Sequence, residues 1–477
     1  MKIKVGNKGN IKVLLAFKDE KIANIDSKLK NYIEEKKLFN GKKGEIFTDI
    51  GPNANNIAII GLGEKEKLDG QVLRIAAFNL AKKLASLKVE SANIEIREIE
   101  NFTQNEIIHL LSEGLLQSEY VFDEYKTDKE EIFEVEYNFN IDSQIEEAEE
   151  NIKLAKDIIE GVFIARDLVN IPSIDMYPET LANNAKSILE KVGVEVEVSG
   201  KIEIEDLNMK AFLAVAEGSD KEPKFIIMKY LPNQDQKPLT FVGKGLTYDS
   251  GGYALKSPNG MVTMKSDMGG AASVIGAMYS IAKTKLNQNV VAVIAACENM
   301  ISGRAYKNGD IVSSMKGTTI EIINTDAEGR VTLADSIYYA ATKIDSAAVI
   351  DLATLTGACV VGLGDFTTGL VTNNQELCDN LVSASKVAGE YLWQLPVQEE
   401  LRDMLKGKNA DLTNSTGRMG GAITAGLFLE NFVEGKPWVH MDIAGPAFAE
   451  SAYNYIPAGG TGIPVKTLYL LAKNFNK

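Results

Sequence analysis

The sequence predicts an α/β protein, with a C-terminal α/β/α domain built on a mostly parallel central sheet and a smaller N-terminal α/β domain before it. Three observations carry this. The chain has 477 residues, more than one ordinary core organises, so two domains are the default. Its second part holds continuous apolar runs, LTFVG (239–243), VVAVIAA (290–296), TIEII (319–323), AAVIDLA (347–353) and WVHMDIA (438–444), as strands covered on both faces require. Helix-period segments lie between several of these runs, giving a βα alternation.

In chain order, MKIKV (1–5), KVLLAF (12–17), EIFTDI (45–50), NIAIIGLG (56–63) and NIEIREI (93–99) read as strands. Residues 69–88 and 105–118 place apolar side chains at helical spacing. Residues 123–150 are dense in acids and poor in aliphatics, which predicts a solvated face or connector. The boundary is therefore set near residue 150, giving domains 1–150 and 151–477, with a helix from about Ile145 to Val169 leading into the second. No internal repeat or Pro-rich linker interrupts this organisation.

Hydrophobic residues make up 45% and charged residues 25%, a soluble globular balance. The formal net charge of -15 opposes general nucleic-acid binding and attraction to anionic membranes. Cys297, Cys359 and Cys378 are odd in number and lack CxxC spacing, so they read as reduced and buried. The N-terminus lacks a signal-peptide core, and no apolar run approaches the length that spans a bilayer. The expectation is a cytoplasmic protein without membrane or nucleic-acid partners.

Chemistry concentrates after the apolar runs. GKGLTYDSGG, CENMISG, NTDAEGR, TLTGA and GPA each follow the carboxyl end of one run, the edge where open α/β sheets bind ligands. The acids there are Asp249, Asp267, Asp326 and Glu328. If their segment is extended, Asp326 and Glu328 leave the same face. Clustered carboxylates raise one another's pKa and need compensating cations. Lys244, Lys256, Lys265 and Arg330 could supply them as a structural ion-pair network. A metal centre is the sharper reading: the acids sit at the ligand edge, glycines crowd them, and four carboxylates balance two divalent ions. With two histidines in the chain, such a site must be carboxylate-built.

These motifs, with ALKSPNGMVTMKSDMGGAA (254–272), DLATLTGA (351–358) and WVHMDIAGPA (438–447), resemble the leucyl (cytosol) aminopeptidases, peptidase family M17. The resemblance covers about residues 160–470 and is weaker before that. It implies a metal-dependent aminopeptidase that releases Leu and other apolar N-terminal residues from peptides by a two-metal-activated water. Lys244, Asp249, Asp267, Asp326 and Glu328 would hold two divalent ions, Mn²⁺ or Zn²⁺. Lys256 and Arg330 would be catalytic, with a bicarbonate bound at Arg330 as general base. Met264, Thr354, Leu355 and Gly357 would contact substrate. A homohexamer is implied, with oligomer contacts from a macro-like N-terminal domain. Three departures fall in loops: Ser257 replaces the usual proline, and Ile174 and Tyr177 replace the usual Asn and Thr.

Two other readings use the same residues. YDSGG also suits a serine-type hydrolase with Ser250 as nucleophile, which needs His109 or His440 as base. A non-catalytic, DNA-binding accessory protein is the third reading, opposed by the acidic balance.

Overall fold

The computed structural model describes residues 1–129, 131–142 and 144–475. Its contacts divide the chain into a unit of residues 1–159 with 452–457, and a unit of residues 160–451 with 458–477. The division falls inside the helix Ile145–Asn170.

The smaller unit is built on β1 (Lys2–Val5), β2 (Ile11–Ala16), β3 (Ile46–Asp49), β4 (Ile57–Gly61), β5 (Ser91–Glu95) and β6 (Glu136–Asn140), in the sheet order β1-β6-β5-β2-β4-β3. All neighbours run parallel except the edge strand β3. The helices Gly70–Ser86 and Gln104–Gln117 pack on each other and share a core with Val13, Ile60 and Ile94. Thr103 and Glu106 close a reciprocal cap on the second helix. The connector reading of residues 123–150 is corrected here, because β6 lies within them and pairs with both β1 and β5. Val135, Tyr137 and Phe139 alternate into the core at 2%, 0% and 0% exposure, a period-two pattern masked by the charged residues beside it.

The main sheet of the larger unit has eight strands among the described residues: β7 (Glu195–Ser199), β8 (Lys224–Tyr230), β9 (Leu239–Asp249), β10 (Val290–Asn299), β11 (Ala348–Ala353), β12 (Thr367–Thr372), β13 (Tyr391–Gln394) and β14 (Trp438–Asp442). Their order is β13-β12-β14-β11-β9-β10-β8-β7. The central four, β14, β11, β9 and β10, are parallel; β12, β8 and β7 join antiparallel to their inner neighbours. Helices Pro178–Leu189, Gly269–Lys283, Gln375–Ala388 and Val465–Asn474 form one layer. Helices Lys210–Ala216, Glu328–Thr342 and Gly421–Glu430 form the other, over Val242, Val293, Val349 and Trp438.

One expected strand is elsewhere. TIEII contributes Thr319–Glu321 to a separate sheet with Ile311–Ser313 and Leu412–Thr413, not to the parallel sheet. Ile320 and Ile322 are buried but Ile323 is 49% exposed and lies beyond the strand, so the run is not a strand buried along its whole length and does not suit a doubly covered centre.

The chain runs from β9 to its neighbour β10, then returns to place β11 on the other side of β9. That reversal opens a crevice at the carboxyl ends of β9 and β11, where doubly wound sheets bind ligands.

Candidate active site

β9 delivers Lys244 from its middle and Asp249 from its last residue. The turn after it, Ser250–Gly252, needs left-handed backbone at Gly251 (φ 85°) and Gly252 (φ 60°), which only glycine adopts freely. Asp267 comes from the short turn of helix Met264–Met268, and Asp326 from the loop before helix Glu328–Thr342. Glu328 is the first residue of that helix, so the expected extended segment is corrected: a turn, not strand alternation, aligns the two acids. An acid in a first helical turn is favoured by the helix dipole.

The side chains converge. Lys244 Nζ lies 2.8 Å from Asp267 Oδ1 and 2.8 Å from Glu328 Oε1. It also donates to the Thr354 carbonyl at 3.0 Å, while Thr354 Oγ1 donates to Asp267 Oδ1 at 2.7 Å. Lys256 Nζ lies 2.8 Å from Asp249 Oδ2 and 2.5 Å from Asp326 Oδ1. A Cβ on Gly329 would sit 2.5 Å from Lys244 Cε, so glycine is required there for the lysine to reach the acids. Lys265 is not part of this cluster; it donates to the Asn170 carbonyl at 2.6 Å.

The two halves of the cluster are stitched by neutral side chains that the motif reading did not single out. Thr325 Oγ1 donates to the Gly251 carbonyl at 2.8 Å and accepts from the Ala254 amide at 2.8 Å. Asn299 Nδ2 donates to Asp249 Oδ1 at 2.8 Å and to the Thr325 carbonyl at 3.0 Å. Asn414 Nδ2 donates to the Asn324 carbonyl at 2.7 Å, and its Oδ1 accepts from the Ile323 amide at 2.8 Å. Each residue is fully buried. Thr325 and Asn299 lie inside the quoted motifs NTDAEGR and CENMISG, so the signal for them was a polar residue in a segment whose acids were already noted. Asn414 carries no comparable signal.

Burial pushes the Glu328 carboxyl far above the ordinary carboxylate range, and the charge of Asp249 adds to it. Burial likewise raises Asp267, against the pull of Lys244, and raises Asp326, against the pull of Lys256. Burial opposes the Lys244 ammonium, yet Asp267, Glu328 and Asp249 together hold its pKa above the usual lysine value. Four carboxylates thus share two ammonium groups, leaving excess negative charge in a desolvated site.

The donor set fits divalent metal. Oxygens of Asp249, Asp326 and Glu328 lie within 4.8 Å of one another. Among the described residues Asp267 Oδ2 and Glu328 Oε2 are buried without a hydrogen-bond partner, which is costly unless a cation answers them. All-oxygen sets suit hard and borderline ions.

Beside the cluster is an open cleft of about 780 Å³, lined by Asp326, Arg330, Leu355, Gly357, Val361 and Ile423 among others. Leu355 and Gly357 are thus on its wall. Thr354 is not among the lining residues and faces the acids instead; Met264, half-buried, does not line it either. Arg330 is 7% exposed, burial lowers its pKa to about 10, and its Nε has no hydrogen-bond partner among the described residues. Ala327, which precedes the helix, gives no side-chain cap, so the first-turn amides beside Arg330 are left uncapped by it.

Ser250 has structural partners. Its hydroxyl donates to the Asn299 carbonyl at 2.7 Å and accepts from the Gly252 amide. His440 is fully buried and bonds Asp351 at 2.6 Å through Nδ1; Trp438 Nε1 donates to the other oxygen of Asp351 at 2.7 Å. No hydrogen bond joins Ser250 to a histidine among the described residues. The three cysteines are free and buried, as expected, and no helix among the described residues is long and apolar enough to cross a membrane.

The model described as "Cytosol aminopeptidase family, catalytic domain" matches residues 163–469, and that described as "Cytosol aminopeptidase family, N-terminal domain" matches residues 13–129. A probable cytosol aminopeptidase of Clostridium tetani is 50% identical, covering 100% of this chain and 99% of its own. Its counterpart in Treponema denticola is 46% identical, covering 99% of each. Among solved structures, the bottromycin maturation enzyme BotP in complex with Mn superposes with a TM-score of 0.88 at 29% identity, covering 98% of this chain and 100% of its own.

Proposed function

The chain belongs to the cytosol aminopeptidase family, and from that premise we propose that it releases N-terminal residues, preferably Leu and other apolar ones, from peptides with a free N-terminus. The observation that carries this reading is the buried carboxylate cluster, whose Asp267 Oδ2 and Glu328 Oε2 have no hydrogen-bond partner among the described residues, opening beside a peptide-sized cleft.

Lys244, Asp249, Asp267, Asp326 and Glu328 would hold two divalent ions, Mn²⁺ or Zn²⁺. When bound, such ions supply an activated water at neutral pH and Lewis-acid polarisation of the scissile carbonyl. The chain's own groups do the rest. Lys256 keeps a fixed positive charge at the cluster, held above the usual lysine value by Asp249 and its neighbours against the cost of burial. Placed there, it stabilises the oxyanion as that charge develops. Asp326 is shared between the cluster and the cleft. Arg330 and the uncapped amides at the start of its helix favour an anion, and a planar bicarbonate suits the guanidinium fork as general base. Leu355 and Gly357 form the wall against which the peptide lies, and Met264 is proposed to meet the departing side chain. Lys244 is proposed as a ligand through its amine, whose charge a neighbouring dication disfavours.

The reading extends to a cytoplasmic homohexamer, with the N-terminal domain (residues 1–150 in sequence terms) contributing oligomer contacts. The second reading, a serine-type hydrolase, is opposed by the bonds that occupy Ser250.

The decisive experiment compares Leu-p-nitroanilide with its N-acetyl analogue, with chelator and with Mn²⁺ or Zn²⁺ restored. Hydrolysis confined to the free amine, abolished by chelator and recovered by metal, is expected. Cleavage of the acetylated compound, or indifference to chelator, would refute the proposal.

A further inference from the structure

The loop Thr354–Gly357 joins two parts of the site. Its first residue grips the acid cluster through Asp267 and Lys244. Its Leu355 and Gly357 line the cleft. Behind it lies Asp442, the last residue of β14 and the register partner of Ala353, so its carboxylate sits beside the point where the chain leaves β11. Asp442 is 1% exposed. Its Oδ1 accepts from the amides of Leu355 at 3.3 Å, Thr356 at 3.4 Å and Ala444 at 3.2 Å, and its Oδ2 accepts from Thr356 Oγ1 at 2.7 Å. Three of these four donors belong to the loop.

A carboxylate buried this deeply is costly to desolvate, and a neutral apolar side chain would serve packing better. Its acceptors are spent on two successive residues of one loop, which fixes that loop in one conformation. Thr356 is fixed a second time, since its Oγ1 also accepts from the Cys359 amide at 3.0 Å. No hydrogen bond joins Asp442 to the cluster acids among the described residues. Its charge is also felt at Arg330, whose guanidinium it helps to keep charged, so the neutral Thr356 variants are what separate the loop from that electrostatic effect.

We propose that Asp442 is a positioning residue for substrate, holding Leu355 and Thr356 so that the cleft presents a preformed wall to the peptide. The proposal rests on the aminopeptidase reading above. Preorganisation of this kind lowers the cost of binding and leaves the reacting groups untouched.

The test uses the full chain loaded with Mn²⁺ and a leucyl dipeptide, comparing Asp442→Asn, Thr356→Val and Thr356→Ser. Asp442→Asn keeps the shape but turns an amide donor toward loop donors. KM should rise roughly tenfold to a hundredfold, the scale of lost charge-assisted hydrogen bonds, with kcat within about threefold, the signature of lost uniform binding. Thr356→Val should shift KM the same way by less, Thr356→Ser should restore it, and the double variant Asp442→Asn/Thr356→Val should be no worse than Asp442→Asn alone. An unchanged KM in folded Asp442→Asn, a fall in kcat at constant KM, or a parallel loss of bound Mn²⁺ would each overturn the proposal. If Asp442→Asn does not fold, equal KM values for Thr356→Val and Thr356→Ser overturn it instead. A wild-type protein inactive on every leucyl peptide would refute the aminopeptidase reading; an active one with unmoved variants would refute only the role of Asp442.

Discussion

Thr325→Val is the substitution that best tests how the two halves of the acid cluster are held together. Valine matches threonine in shape, so the fully buried site keeps its packing and loses only the hydroxyl. Two hydrogen bonds go, one from Thr325 Oγ1 to the Gly251 carbonyl and one from the Ala254 amide to Thr325 Oγ1, each 2.8 Å. Gly251 is buried and its carbonyl is left orphaned, at a cost of about 1–3 kcal/mol; Ala254 is half-buried, so water can answer its amide and the loss there is nearer ~1 kcal/mol. The folded state should therefore lose about 2–4 kcal/mol. Gly251 follows Asp249 by two residues, and Thr325 precedes Asp326. The same bonds thus set the separation of Asp249 from Asp326 and Glu328. Supporting contacts to ligand residues commonly tune metal affinity about 10–100-fold, and Mn²⁺ affinity should fall on that scale. Urea unfolding of the metal-free protein gives the first number, and titration with Mn²⁺ followed by calorimetry gives the second. A clear loss of stability with unchanged Mn²⁺ affinity would refute the idea that Thr325 sets the spacing of the cluster.

Two further outcomes follow from other residues. Arg330→Ala should lower turnover about 100-fold, the scale of a lost general base, while metal content measured by elemental analysis stays at the wild-type value; loss of metal would show that Arg330 supports the cluster and not the reaction. Asp335, on the same helix, accepts from the amides of Phe212 at 2.9 Å and Met315 at 2.7 Å, and burial pushes its pKa up to about 7. A carboxyl raised in the folded state adds stability that is full below its unfolded value and is lost as pH rises through about 7. Asp335→Asn, which turns a donor toward those amides, should cost about 1–3 kcal/mol at low pH, and the deficit should shrink as pH rises; a deficit that grows with pH would contradict the shift.

The parallel strands were legible because VVAVIAA and AAVIDLA are apolar at nearly every position, and such runs are stable only when both faces are covered. TIEII looked the same over five letters, but Ile323 faces solvent and the run is a three-residue strand in another sheet. Short β-prone segments do not encode which partner they will find. The strand β6 was hidden for the opposite reason: its alternation of Val135, Tyr137 and Phe139 was present, but the acids around it dominated the composition. In the site, the charged residues announced themselves, since charge beside buried strands has few explanations. Asn414 and Asp442 did not, because the groups they hold, the Ala444 amide aside, lie 86–91 residues away, and no local pattern reports a contact at that separation.

The support of the site also explains its ligand chemistry. One of the chain's two histidines, His440, is committed to Asp351, and that aspartate is held at its other oxygen by Trp438. What remains at the sheet edge is oxygen and amine. Such a set does not discriminate by softness, so selection among Mn²⁺, Zn²⁺ and similar ions falls to spacing and availability. The spacing of the acids, in turn, is held by side chains outside the proposed ligand set: Asn299 on Asp249, Thr325 between the two halves, Thr354 on Asp267. Asn299 ends β10 and Thr354 directly follows β11, where the backbone is least free to move, while Thr325 lies in the turn before helix Glu328–Thr342. Thr354 adds a second consequence. Because it belongs to the loop that walls the cleft, a displacement of that wall would be felt at Asp267 and Lys244, and under the proposed function metal and peptide would be bound by parts that cannot move independently.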